Sequence, residues 1–219
     1  MPSEPPLILG FDTSAAQCAA ALVSDGNILA RRDEAMNRGQ AERLLPMLEE
    51  VLAEAGVTWQ DLAAVAVCTG PGNFTGLRLS VAAARGLALG LAIPAIGVTR
   101  FEVLAHGTRG PALVTIAAPL ERLHAQTMLD GVAASEPRLL AADEVSAPPG
   151  TLVIGDGAEG LAARLGLKAK PGSVPDPAVV ARIAAGRLDC TVRPAPLYLR
   201  EADAAPVSEP PPRIIEDPA

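Results

Sequence analysis

The chain has 219 residues, 49% of them hydrophobic and 20% charged, with a formal net charge of −7. That length and balance suit one large domain or two small halves around a buried core, and exclude wholesale disorder or a fibrous repeat. Aromatic residues make up only 2% of the chain, which leaves no stacking platform for single-stranded nucleic acid, and the acidic balance is opposite to a phosphate-binding footprint.

From the N-terminus, residues 7–12, 17–24 and 27–33 read as three strand-like runs. Asp25-Gly26 separates the last two, a hairpin signal because glycine accepts the positive φ of a tight turn, so the chain opens with a β-meander. Across 40–55 the apolar residues recur at helical spacing: Ala41, Leu44, Leu45, Leu48, Val51, Leu52 and Ala55, with Gly56 as the stop. Pro46 inside this run predicts a kink or a late start. Residues 62–68 are wholly apolar, as in a strand buried on both faces. A glycine-rich turn over 70–76 leads into a helix predicted at 77–91, whose small residues Ala82, Ala83, Ala84, Gly86, Ala88 and Gly90 admit a close helical neighbour.

A strand at 95–98 and a helix at 100–106 follow. Further strands are predicted at 112–117, 124–130 and 151–154, helices at 158–165 and 177–186, and a last short strand at 197–199. The pattern is an α/β duplication with its seam near residue 110: an N-terminal half over 1–110, a smaller C-terminal half over 111–205, and a disordered acidic, proline-rich tail over 206–219.

The chemical inventory is thin. Asp12-Thr13-Ser14 closes the first strand, where a carboxylate beside hydroxyls can hold Mg²⁺ or water against a phosphate, although a plain turn accounts for it equally well. The 70–76 turn is spaced Gly-x-Gly-x-x-x-Gly, not as a dinucleotide-binding fingerprint, and no P-loop, Gly-x-Ser-x-Gly or His-Glu-x-x-His motif occurs. His106 and His124 are the only histidines and sit on different predicted elements, so no metal centre is expected. Cys18, Cys68 and Cys190 lie in apolar surroundings and read as buried, reduced thiols of a cytoplasmic chain. The longest apolar stretch contains Arg85 and stops at Pro94, too short and too charged for a membrane span.

Five segments taken together resemble the TsaB family, also called YeaZ. They are Ile8-Leu9-Gly10-Phe11-Asp12-Thr13-Ser14, Leu44-Leu45-Pro46-Met47-Leu48, Thr69-Gly70-Pro71-Gly72-Asn73-Phe74-Thr75-Gly76-Leu77-Arg78, Arg85-Gly86-Leu87-Ala88-Leu89-Gly90 and Pro196-Leu197-Tyr198-Leu199-Arg200. The resemblance implies an actin/hexokinase-like (ASKHA) fold of two related halves, the second smaller and degenerate. It also implies a non-catalytic subunit of a TsaD-type transferase, which moves a threonylcarbamoyl group from threonylcarbamoyl-adenylate to N6 of adenosine 37 in tRNAs reading ANN codons. Implied partners are that catalytic paralogue, a TsaE-type ATPase, a second copy of the chain when alone, and tRNA through the complex only. ATP and metal are then expected on the partners, and no cofactor of its own.

Where the catalytic paralogue has a histidine pair, the matching stretch here offers only His106. Ala117-Ala118-Pro119 stands where the family usually has Asp-Ala-Arg. No catalytic residue is therefore assigned. Asp12, Thr13, Ser14, Gly155, Asp156 and Gly157 are the candidate remnant of a nucleotide turn. Leu44, Leu45, Leu48, Val51, Leu52, Leu77, Val81, Ala84 and Leu87 are the candidate partner or dimer interface. The rival reading is an enzyme in its own right, an ATP-dependent small-molecule kinase of the same fold or a protease.

Overall fold

Alternating apolar residues set the first sheet. The computed structural model describes residues 5–172 and 174–199; the tail expected over 206–219 lies outside the described residues. β1 (Leu7–Asp12), β2 (Gln17–Ser24) and β3 (Asn27–Ala35) form the antiparallel meander, with β4 (Leu62–Cys68) and β5 (Ala95–Val98) parallel to β1, in the order β3-β2-β1-β4-β5. Because side chains alternate across a strand, Leu9 and Phe11 face one layer while Ile8 faces the other. On the first face lie α1 (Gln40–Ala55) and α2 (Phe74–Leu91), packed through Leu44, Met47, Leu48, Val51, Val81 and Ala84.

The second sheet repeats the plan. β6 (Pro111–Ala118) and β7 (Arg122–Leu129) are antiparallel, and the two-residue β8 (Val132–Ala133) and β9 (Arg138–Ala141) both pair with β7. β10 (Leu152–Gly155) and β11 (Lys168–Pro171) run parallel to β6, giving β11-β10-β6-β7-β8. In both sheets an antiparallel meander is continued on the side of its first strand by two parallel strands. α3 (Arg100–Ala105) and α4 (Ala158–Leu165) cover opposite faces of this sheet. α3 joins the two cores, with Val103 packed toward the first sheet and Phe101 and Leu104 toward the second. A capping box between Thr99 and Glu102 starts α3.

The structure differs from the sequence reading in several places. α5 (Pro177–Ala185) belongs by sequence to the second half, yet it packs on the first sheet through Ala178, Val180, Ala181 and Ala184, so the two halves exchange a layer. Asp176 caps α5, accepting from Ala178 N at 2.8 Å, and pairs with Arg31 of β3 at 3.1 Å. α2 starts at Phe74 rather than 77, because Asn73 accepts from Gly76 N at 3.0 Å and caps it there. α1 starts at Gln40 and runs through Pro46; Pro46 and Glu42 are both exposed, so water can reach the carbonyl that the proline leaves unpaired. The segment 197–199 forms no strand and is tied down by Leu197 N donating to Thr69 O at 2.8 Å. Cys18 and Cys68 are buried, but Cys190 follows α5 and is partly exposed.

β11 is an edge strand whose four residues are all exposed. It carries Lys168 and Lys170, the only lysines of the chain, followed by Pro171. Lysine and proline on a sheet edge discourage pairing with another chain. Among the described residues no helix is long and apolar enough to cross a membrane.

Candidate functional site

The turn after β1 and the turn after β4 meet at the N-terminus of α2. Thr13 Oγ1 donates to Gly76 O at 2.7 Å, and Asn73 N donates to Ser14 O at 2.7 Å. A side chain at Gly76 would run into the Thr13 carbonyl, and one at Gly72 would come within 2.5 Å of the Ser14 carbonyl. The glycines of this segment therefore serve close packing.

Asp12 is 0% exposed. Ser14 N donates to its Oδ1 at 3.1 Å, and Gln17 Nε2 donates to Oδ2 at 3.1 Å and to Pro175 O at 2.8 Å. Burial drives the Asp12 carboxyl above its ordinary value; the hydrogen bonds from Ser14 and Gln17 and the charge of Arg100 oppose that rise without cancelling it. On the other half, Asp156 accepts from Ala117 N at 2.9 Å, while Thr115 Oγ1 donates to its carbonyl at 2.8 Å. Gly157 takes the left-handed conformation at the start of α4. Arg100 lies 3.5 Å from Asp156 Oδ2, and its charge opposes the rise at Asp12. Asp12, Thr13 and Ser14 thus lie at the end of β1, and Gly155, Asp156 and Gly157 at the end of β10, with Arg100 paired to Asp156 alone of the two carboxylates. Both carboxylates already hold donors from the chain itself. Among the described residues no three His, Cys, Asp or Glu side chains converge as metal ligands. Burial lowers the His124 and His106 imidazoles, and at His106 the charges of Arg182 and Lys170 add to the effect.

The expected interface set needs correction. Leu44, Leu48, Val51, Leu52, Leu77, Val81 and Ala84 are buried in this chain's own core, because the apolar stripe of each helix faces its own sheet. Leu87 is half-buried against the same cluster. Only Leu45, 49% exposed, is free on the surface. The outward side of α2 instead presents Arg78, Ala82, Arg85, Gly86, Leu89 and Gly90, with Leu89 82% exposed and open space around Gly86 and Gly90. The signal was available in the sequence: these positions hold the same helical period as Leu77, Val81, Ala84 and Ala88, displaced to the opposite face.

A cavity of about 870 Å³ lies elsewhere, and neither Asp12 nor Asp156 lines it. Phe74 and Leu77 of α2, Leu120 and Arg122 around the β6–β7 turn, and Leu197 and Tyr198 of the C-terminal segment are among its walls. The Phe74 and Tyr198 rings stand 5.5 Å apart, and the Arg78 guanidinium lies 3.7 Å over the Phe74 ring.

The cavity is thus formed where the glycine-rich segment and the C-terminal 197–199 segment meet, two motifs more than a hundred positions apart in the chain. An uncharacterized protein of Mycobacterium tuberculosis is 34% identical over 203 residues, 92% of this chain and 95% of that protein. The tRNA threonylcarbamoyladenosine biosynthesis protein TsaB of Escherichia coli is 40% identical over 100 residues, 46% of this chain and 43% of its own length, so the match spans under half of that relative. YeaZ from Pseudomonas aeruginosa superposes with a TM-score of 0.73 at 25% identity, over 89% of this chain and 100% of the other. This chain belongs to the TsaB (YeaZ) family. The family model of TsaD, tRNA N6-adenosine threonylcarbamoyltransferase, also matches residues 31–120, the stretch that holds α1 and α2. The fold is the α/β, actin/hexokinase-like arrangement expected from the TsaB resemblance. Component A of the Acidaminococcus fermentans (R)-2-hydroxyglutaryl-CoA dehydratase shares it at a TM-score of 0.56 and 10% identity, a likeness of fold alone.

Proposed function

We propose that this chain is the non-catalytic scaffold subunit of a tRNA threonylcarbamoyladenosine system. In this reading it docks a TsaD-type paralogue, and that paralogue moves the threonylcarbamoyl group from threonylcarbamoyl-adenylate to N6 of adenosine 37. ATP and metal belong to the paralogue and a TsaE-type ATPase. Two copies of this chain pair when the paralogue is absent, and tRNA is met only through the complex.

The observation that carries this reading is the outward side of α2. Ala82, Gly86 and Gly90 contribute nothing to the chain's own core, and Leu89 stands almost fully exposed beside them. Small residues flanking a large exposed leucine let a second helix approach closely, and so large an exposed apolar side chain gains from being covered. The Asp12 corner supports a scaffold over a kinase, since its carboxyl is fully buried and committed to Ser14 and Gln17.

The test is threonylcarbamoyl transfer to unmodified tRNA with the adenylate-forming enzyme, ATPase and paralogue supplied, omitting this chain or replacing it with Leu89→Glu. Transfer should require the wild-type chain and fall at least tenfold with the variant, while the chain's melting temperature stays within a few degrees. Transfer by this chain without the paralogue, or full activity in its absence, would sink the scaffold reading.

A further inference from the structure

We propose that the cavity between α2, the β6–β7 turn and the 197–199 segment is a binding site for a small organic anion with an apolar or aromatic body. Its volume of about 870 Å³ falls within the range of small-molecule sites, which combine apolar walls with a few fixed polar groups. The walls are Phe74, Leu77, Leu139 and Leu197, and the polar groups are Arg78, Arg122 and His124.

The charge pattern identifies the head group. Arg78 and Arg122, like several other arginines, form no ion pair among the described residues, but they are the two arginines that line the cavity. In a chain of net charge −7, they give this cavity two cations with no carboxylate among its lining residues. Each is held by one neutral contact, Arg78 Nε donating to Tyr198 Oη at 2.8 Å and Arg122 Nη2 donating to Leu139 O at 2.9 Å. Other guanidinium N–H groups are left for a ligand, and a planar fork of donors matches a carboxylate, phosphate or sulfonate. His124 also lines the cavity, and its Nδ1 is buried without a hydrogen-bond partner among the described residues. Leu120, 81% exposed on the rim, extends the apolar wall toward solvent.

The probe is 8-anilinonaphthalene-1-sulfonate, an aromatic anion, titrated by fluorescence into the folded full-length chain beside its neutral analogue N-phenyl-1-naphthylamine. The expected result is saturable one-to-one binding of the sulfonate, with the neutral amine weaker. The Arg78→Gln/Arg122→Gln pair should weaken sulfonate binding by about tenfold, and Arg109→Gln, an exposed arginine outside the cavity, should leave it unchanged. If the double variant fails to fold by circular dichroism, Arg122→Gln alone takes its place. Displacement by benzoate or by phenyl phosphate supports the proposal and ranks the head groups. Equal binding of the neutral amine, indifference to the arginine substitutions, or no displacement by either competitor at millimolar concentration overturns it; the last result points to a protein segment as occupant.

Discussion

Arg78 on α2 donates through Nε to the hydroxyl of Tyr198, 120 positions further along the chain, at 2.8 Å. The same guanidinium lies over the Phe74 ring, so one side chain ties the C-terminal segment to the first turns of α2. Tyr198→Phe keeps the ring and loses this hydrogen bond, costing about 0.5–1 kcal/mol. Arg78→Ala also loses the cation–π contact and should cost more. Urea unfolding of the two variants checks the order.

The contrast between two glycines of α2 tests which of its small residues serve the chain's own packing. Gly76→Ala drives a methyl group into the Thr13 carbonyl and should destabilise by about 3 kcal/mol. Gly86→Ala meets open space and should stabilise the isolated chain by about 1 kcal/mol through helix propensity. If Gly86 admits a partner helix, the same substitution weakens association with the paralogue. Calorimetry of the free chain and pull-down with the paralogue then move in opposite directions.

Asp12 gives a signed pH dependence. Its carboxyl is raised from an ordinary value of 3.8, so the folded chain holds a proton that the unfolded chain releases, and stability falls as pH rises from about 4 through the raised value. Asp12→Asn lacks this proton. The stability of the variant relative to wild type should therefore increase across that window and level off above it. Guanidinium midpoints from pH 4 to 8 measure the difference, and a flat difference would show that Asp12 titrates normally.

Leu120 and Glu121, between β6 and β7, both take positive φ, +61° and +55°, a region that costs an L-residue about 1–2 kcal/mol. Glu121→Gly should raise stability by about 1 kcal/mol. A rise in melting temperature without change in the circular dichroism spectrum is the expected reading.

The meander, α1, β4, β5 and β10 were legible because their apolar runs are strong and Asp25-Gly26 marks the turn. β8, β9 and β11 escaped because they are short and half or fully exposed, with no alternation to read; all four residues of β11 face water. The apolar stripes of α1 and α2 were found, but a stripe says that it must be covered and not by what, so Leu48 and Ala84 were assigned to a partner while the chain's own sheet covers them. The turns at Asp12 to Ser14 and Gly155 to Gly157 were legible as the ends of strand-like runs, the ends of β1 and β10. The Arg100–Asp156 pair was invisible, since nothing in the spacing of the two residues announces contact. The cavity was hidden for the same reason, although two of the five aromatic residues of the chain, Phe74 and Tyr198, sit in the motifs that build it.

The placement of both lysines on β11 has a practical side. Reagents that couple to side-chain amines will attach to one edge of the second sheet, the sheet that α1 and α2 do not cover. A chain biotinylated or immobilised this way is oriented by its own sequence. The attachment points lie on the second sheet while α2 packs on the first, so surface-binding measurements with the paralogue need no engineered tag.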